Sequence, residues 1–179
     1  MNQDPSPDVT VLTNEPMSNS LEVVAATTAA RSLTGDDSSD SLSQTFQVDS
    51  TFDLSMIYLG YEYDESADPS HSLVNIEIFE VDNVAAQELV PGTSILELSG
   101  VTVPQQRSGT ATIVLDSTIT LEETSGSNGY ALRISGGRSP GFEWVRTGSS
   151  SGSVYSGGQA YENSEEKFGG ERDFVLGLE

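Results

Sequence analysis

Leu73-Val74-Asn75-Ile76-Glu77-Ile78-Phe79-Glu80-Val81 is the stretch on which the fold turns. Val74, Ile76 and Ile78 alternate with Asn75, Glu77 and Phe79. Successive side chains of a strand point to opposite faces, so one apolar set at a period of two describes a strand with one side against a core. A helix would instead return its apolar residues every three or four positions.

The same signal recurs on both sides of that stretch. Phe46 and Val48, then Phe52, Leu54, Met56 and Tyr58, fall on alternate positions of their segments. Ser94 to Leu98, Thr110 to Leu115, Gly129 to Ser135, Phe142 to Thr147 and Asp173 to Leu178 are further candidates, divided by clusters of Gly, Ser, Asp and Pro. The total is about nine strands. Val84 to Leu89 has helical leanings but stops at Pro91-Gly92, which allows a short turn at most. Many short strands without interleaved helices select an all-β fold, a two-sheet β-sandwich of jelly-roll type, over an α/β architecture. No internal repeat at a fixed period points to a propeller or solenoid.

With 179 residues the chain fills one core, and the expected organisation is one domain with a tail. Residues 1–20 are polar with three prolines and read as a linker or edge segment, Val9 to Leu12 being the best strand candidate; residues 21–179 read as a single sandwich. The opening Met1-Asn2-Gln3-Asp4-Pro5-Ser6-Pro7 looks like an initiator methionine at the edge of an interdomain linker. The expectation is a module tethered to other domains of a longer chain.

Seven lysines and arginines against 28 aspartates and glutamates leave a net charge of −21. Such a surface repels phosphate backbones and anionic lipid, so nucleic acid and membrane partners are excluded as classes. No apolar run approaches the length that spans a bilayer, so no membrane insertion is expected. The chain has no cysteine, which removes disulfides and thiolate metal sites. The setting these features suggest is secreted or cell-surface, any export signal having been removed.

Residues 130–161 carry the most chemistry. They contain the single tryptophan, Trp144, three of the seven cations, Arg133, Arg138 and Arg146, and a Gly/Ser-rich loop with Tyr155, Gly157, Gly158, Gln159 and Tyr161. A sugar ring offers an apolar C–H face and a rim of hydroxyls, and its usual receptor is an aromatic platform beside planar hydrogen-bonding groups. Trp144, Tyr155 and Tyr161 supply aromatic rings, and Arg138, Arg146 and Gln159 supply the bonding groups, arginine adding bidentate recognition of carboxylate or sulfate. The expected ligand is a polysaccharide, neutral or anionic. The competing reading places Trp144 in the core of a strand and pairs the arginines with neighbouring acids.

Calcium is the cofactor the acids suggest. Asp64, Glu65, Asp68, Asp82, Asn83 and Asp173 lie at strand ends, where hard oxygen ligands from different loops converge on such an ion, and Asp64, Asp68, Asp82 and Asp173 are the ligand candidates. No catalytic residue emerges. His71, the only histidine, sits after Asp68-Pro69-Ser70 in a loop, where exposure is the ordinary state, and no acid pair is marked for glycosidase work. The expectation is a non-enzymatic protein.

One resemblance is carried by the order of strand signatures. Gln44-Thr45-Phe46, Leu54 to Leu59, Val74 to Phe79, Tyr130 to Ile134, then Trp144 with Tyr155-Ser156-Gly157-Gly158-Gln159-Ala160-Tyr161 and a closing Asp173-Phe174 resemble the jelly-roll accessory modules of bacterial extracellular proteins. These include carbohydrate-binding modules of polysaccharide-degrading enzymes and domains of anchored surface proteins. The resemblance spans about residues 42–178 and implies a non-catalytic domain that often holds a structural calcium and binds glycans on loops or a concave sheet face. The competing expectation is a structural or adhesive surface domain without glycan specificity.

Overall fold

The computed structural model describes residues 9–13, 21–22, 29–32, 41–63, 73–102, 108–136, 142–146, 155, 157–166, 173–174 and 176–179. These residues form strands and connecting turns and no helix. In chain order the strands are β1 Val9–Thr13, β2 Leu21–Glu22, β3 Ala29–Ser32, β4 Ser41–Phe46, β5 Phe52–Tyr63, β6 Leu73–Val81, β7 Ser94–Thr102, β8 Ser108–Leu121, β9 Gly129–Ser135, β10 Phe142–Arg146, β11 Ala160–Glu162, β12 Glu165–Glu166 and β13 Leu176–Leu178.

Two antiparallel sheets make a β-sandwich. The first runs β1-β8-β5-β10-β3, with β13 pairing β5 and β2 as well; the second runs β12-β11-β4-β9-β6-β7. Along one edge of β5 the register divides: β13 pairs with Ile57 to Leu59, and β10 pairs with Tyr61 to Tyr63. Between Leu54 and Met56 the register with β8 shifts, and there the main-chain N–H groups of Ser55 and Met56 both donate to the Glu179 carbonyl, at 2.6 and 2.7 Å. From β7 to β11 the chain changes sheet at every step, which brings residues far apart in sequence into one core and separates near ones.

The alternation in β6 does what its period implies. Val74, Ile76 and Ile78 are buried in the core, joined on the second sheet by Leu42 and Phe46 of β4 and by Tyr130, Leu132 and Ile134 of β9. From the first sheet, Ile57, Leu59 and Tyr61 of β5, Ala111, Ile113 and Leu115 of β8, and Leu176 and Leu178 of β13 meet them. Each large apolar side chain taken from water contributes about 1.5–3 kcal/mol, which makes this two-faced cluster the main source of stability.

Phe79 departs from the simple alternation. It lies among the outward residues of β6, yet it is fully buried with Val81, Val84, Leu89, Ala131 and Tyr161 in a second cluster. The connection from Asp82 to Thr93 folds back over the outer face of the second sheet and covers it. Main-chain bonds hold that strap: Val84 N–H to Ser127 O at 2.9 Å, Leu89 N–H to Ser164 O at 2.8 Å, and Glu166 N–H to Gln87 O at 3.0 Å. The segment Val84 to Leu89 is thus an irregular strap and not a helix.

Candidate functional site

Trp144 sits on β10, in register with Tyr61 of β5 on one side and Arg31 of β3 on the other. Its ring is 0% exposed and stacks on Phe174, centroids 4.5 Å apart and planes 15° from parallel. An aromatic platform for a sugar needs a ring face open to solvent. Trp144 has none, and it belongs to the core.

Tyr161 is likewise 0% exposed. Its hydroxyl donates to Ala86 O at 2.7 Å and accepts from Gln159 Nε2 at 2.8 Å, while Gln159 Nε2 also donates to Ala86 O at 2.6 Å. Gln159 is stitched to β4 through its main chain: its N–H donates to Thr45 Oγ1 at 2.8 Å and its carbonyl accepts from Thr45 N–H at 3.0 Å. Thr45 Oγ1 in turn donates to Val84 O at 2.6 Å. Of the residues read from sequence as sugar-binding, Gln159 and Tyr161 therefore bind the strap through their side chains, and the Gln159 main chain fastens the Gly-rich segment to β4. The Tyr161 hydroxyl and the Gln159 amide nitrogen are already bonded within the protein.

Tyr155 is half-buried against the main core. Its hydroxyl accepts from Gln47 N–H at 2.9 Å, and its own N–H donates to Asp173 Oδ2 at 3.2 Å. Gly157 leaves room for this ring, since a Cβ there would overlap the Tyr155 hydroxyl. At Gly158 the approach is closer still: a Cβ would fall onto the Thr45 carbonyl, a backbone group that cannot swing aside. Gly158→Ala is expected to destabilise the fold by about 2–3 kcal/mol through forced separation of this segment from β4, read as a lower urea midpoint with unchanged m-value.

Burial pushes the Tyr61, Tyr130, Tyr155 and Tyr161 hydroxyls up from the ordinary tyrosine value. For Tyr155 the Gln47 main-chain contact works against that rise, and the nearby Asp49 and Asp173 charges add to it. A hydroxyl whose pKa is raised by folding contributes stability below its unfolded pKa, near 10, and loses it as pH climbs through the folded value. Spectrophotometric titration is expected to show these tyrosines ionising later than free tyrosine, with urea resistance falling above about pH 10.

Arg133 and Arg146 belong to different sheets. Arg133 is on β9 in the second sheet, whereas Arg146 is at the end of β10 in the first, in register with Ala29. Arg133 is ion-paired to Glu77 and lies over the Phe79 ring at 4.9 Å from its centroid. Arg138 lies outside the described residues, as does His71.

The calcium candidates fall in separate surroundings. Asp173 is fully buried, its carboxylate accepting from Gln44 Nε2 at 3.2 Å and from Tyr155 N–H. Asp82 is exposed just beyond β6. Asp64 and Asp68 lie outside the described residues, among which no three acids or histidines are gathered as an ion's ligands.

Among the described residues the notable concavity is elsewhere. A cleft of about 270 Å³ opens between the end of β6, the segment after β8 and the start of β9, lined by Glu80, Asp82, Glu122, Glu123, Asn128 and Tyr130 among others. Tyr130 is held beneath it, its hydroxyl accepting from Glu122 N–H at 3.0 Å. Four carboxylates around one concavity produce a negative field that opposes anionic ligands. The sequence shows no local sign of this cleft, because its acids come from two segments far apart in the chain.

No protein-family model matches the chain, and no curated protein sequence matches it.

Proposed function

We propose that the chain is a non-catalytic structural or adhesive domain of a secreted or cell-surface polypeptide, without glycan specificity. One observation carries this reading: the aromatic rings that a sugar platform needs at Trp144 and Tyr161 are fully buried. The bonding groups beside them, Gln159 and the Tyr161 hydroxyl, are engaged with Ala86. An anionic polysaccharide would also meet a chain of net charge −21, and Arg133 already faces Glu77.

The resemblance to jelly-roll accessory modules agrees with a domain whose work is to hold and space other parts of a polypeptide. No helix among the described residues is long and apolar enough to cross a membrane. The test is a binding screen against neutral and anionic polysaccharides, with and without calcium, by affinity electrophoresis and calorimetry. Absence of binding and of turnover on every glycan is the expected result. Saturable binding to any one of them that survives Trp144→Phe would replace this reading with a glycan module that uses another surface.

A further inference from the structure

Seven cations can neutralise no more than seven of the 28 acids in this chain, and lysine occurs once, at position 167. Folding gathers the excess charge. By the usual scaling, a chain of 179 residues contracts from a radius of gyration of about 45 Å unfolded to about 16 Å folded. A net charge of −21 drawn into that volume repels itself, and the repulsion acts against the compact state.

The contacts around the acids do little to relieve it. Thr120 Oγ1 donates to Asp53 at 2.7 Å, Thr51 Oγ1 to Glu122 at 2.9 Å, and the Tyr58 hydroxyl to Glu179 at 2.6 Å. A hydroxyl donor satisfies the hydrogen bonding of a carboxylate and leaves its charge in place. Exposed Glu97 of β7 stands in register with Glu77 of β6, a placement in which like charges repel, although Arg133 takes up part of the Glu77 charge. In the cleft at the end of β6, Glu80, Asp82, Glu122 and Glu123 are all exposed, and the described residues that line it include no lysine or arginine.

Salt decides how far such repulsion reaches. At about 0.01 M the Debye length is about 30 Å, longer than the folded radius, so charges on opposite sides of the domain still act on one another. At about 1 M it is about 3 Å, and only immediate neighbours do. The same carboxylates keep a protein in solution where salt drives apolar surfaces together.

We propose that this fold is conditional on salt: the chain is built to work in a medium of molar ionic strength and loses its fold when that medium is diluted. Screening is the cause, and no ion site is required. The inference goes beyond the structural or adhesive reading, since it concerns the medium in which the domain stands folded.

Urea unfolding of the intact chain across a sodium chloride series tests it. The midpoint is expected to fall to less than roughly half its value as salt is lowered from about 1 M to about 0.01 M, and potassium chloride should act as sodium chloride does. Sucrose strengthens burial without screening charge, so it should not replace the salt. A variant carrying Glu80→Gln, Asp82→Asn and Glu123→Gln takes three charges from one exposed cleft with little change of shape. It is expected to exceed the wild-type midpoint at about 0.01 M salt and to match it at about 1 M. A wild-type midpoint indifferent to salt over that range would overturn the proposal. Rescue by sucrose equal to that by salt would overturn it too, by tracing the effect to burial. So would a triple variant that gains nothing at low salt, or gains as much at high salt. Polysaccharide binding would defeat the structural or adhesive reading and leave this salt response as it is, so the two failures are distinguishable.

Discussion

Trp144→Ala is expected to destabilise the protein by about 3–5 kcal/mol, the range for deleting a large buried aromatic side chain. The indole is 0% exposed and lies flat on Phe174, with β5 and β3 on either side of its strand. Removing it leaves a cavity between the sheets, because neighbouring strands fixed by their hydrogen bonds cannot close in. A domain of this kind has about 5–15 kcal/mol of net stability, so the loss is a large fraction of the whole. The measurement is urea unfolding followed by far-UV circular dichroism, with Trp144→Phe beside it. The phenylalanine variant keeps a ring against Phe174 and is expected to lose clearly less. Wild-type fluorescence should report an apolar surrounding and shift to the red only on unfolding. A variant as stable as the wild type would mean that the indole stands in solvent, and the platform rejected above would be restored.

Why this tryptophan was ambiguous from sequence is a matter of face. In its five-residue strand Trp144 shares its parity with Phe142 and Arg146, one apolar neighbour and one charged, so alternation does not assign a side. In β6 the pattern is longer and one-sided, and its bounds Leu73–Val81, like those of β9 at Gly129–Ser135, coincide with the stretches marked by composition and alternation. Phe79 was legible as outward from its period but not as buried, since the strap that covers it lies beyond the strand. Strands β11 and β12, three and two residues long, were not legible, because they are too short to carry a period. What places β11 is main-chain fit to β4, permitted by the missing side chain of Gly158. The grouping of residues 130–161 into one site failed for a topological reason. The chain passes from β9 in the second sheet to β10 in the first and back to β11, so Trp144 is separated from Arg133 and Tyr161, which both meet Phe79 on the outer side of the second sheet.

Gln44→Leu is the second large effect, and it concerns what joins the sheets besides apolar contact. Gln44 is on β4 of the second sheet and is 0% exposed. Its Oε1 accepts from Phe174 N–H at 2.8 Å, and its Nε2 donates to Asp173 Oδ1 at 3.2 Å and to Thr45 O at 3.0 Å. Asp173 and Phe174 precede β13, which pairs with β5 in the first sheet, so one amide ties the two layers together. Leucine has nearly the same volume but takes away the acceptor of a buried N–H and a donor to a buried carboxylate. Orphaned buried groups cost about 1–3 kcal/mol each, and more when charged, while the added apolar surface returns only part of that. A net loss of about 3 kcal/mol is expected, seen as a lower urea midpoint and faster exchange of the β13 amides. Asp173→Asn removes the charge from the same contact, and the double variant closes a cycle. Because the two residues share a hydrogen bond in a buried site, their effects should fall short of additivity by about 1–2 kcal/mol. Additive losses would mean that Gln44 acts through Phe174 alone, and that the carboxylate of Asp173 is held in place by Tyr155 and its other surroundings without help from β4.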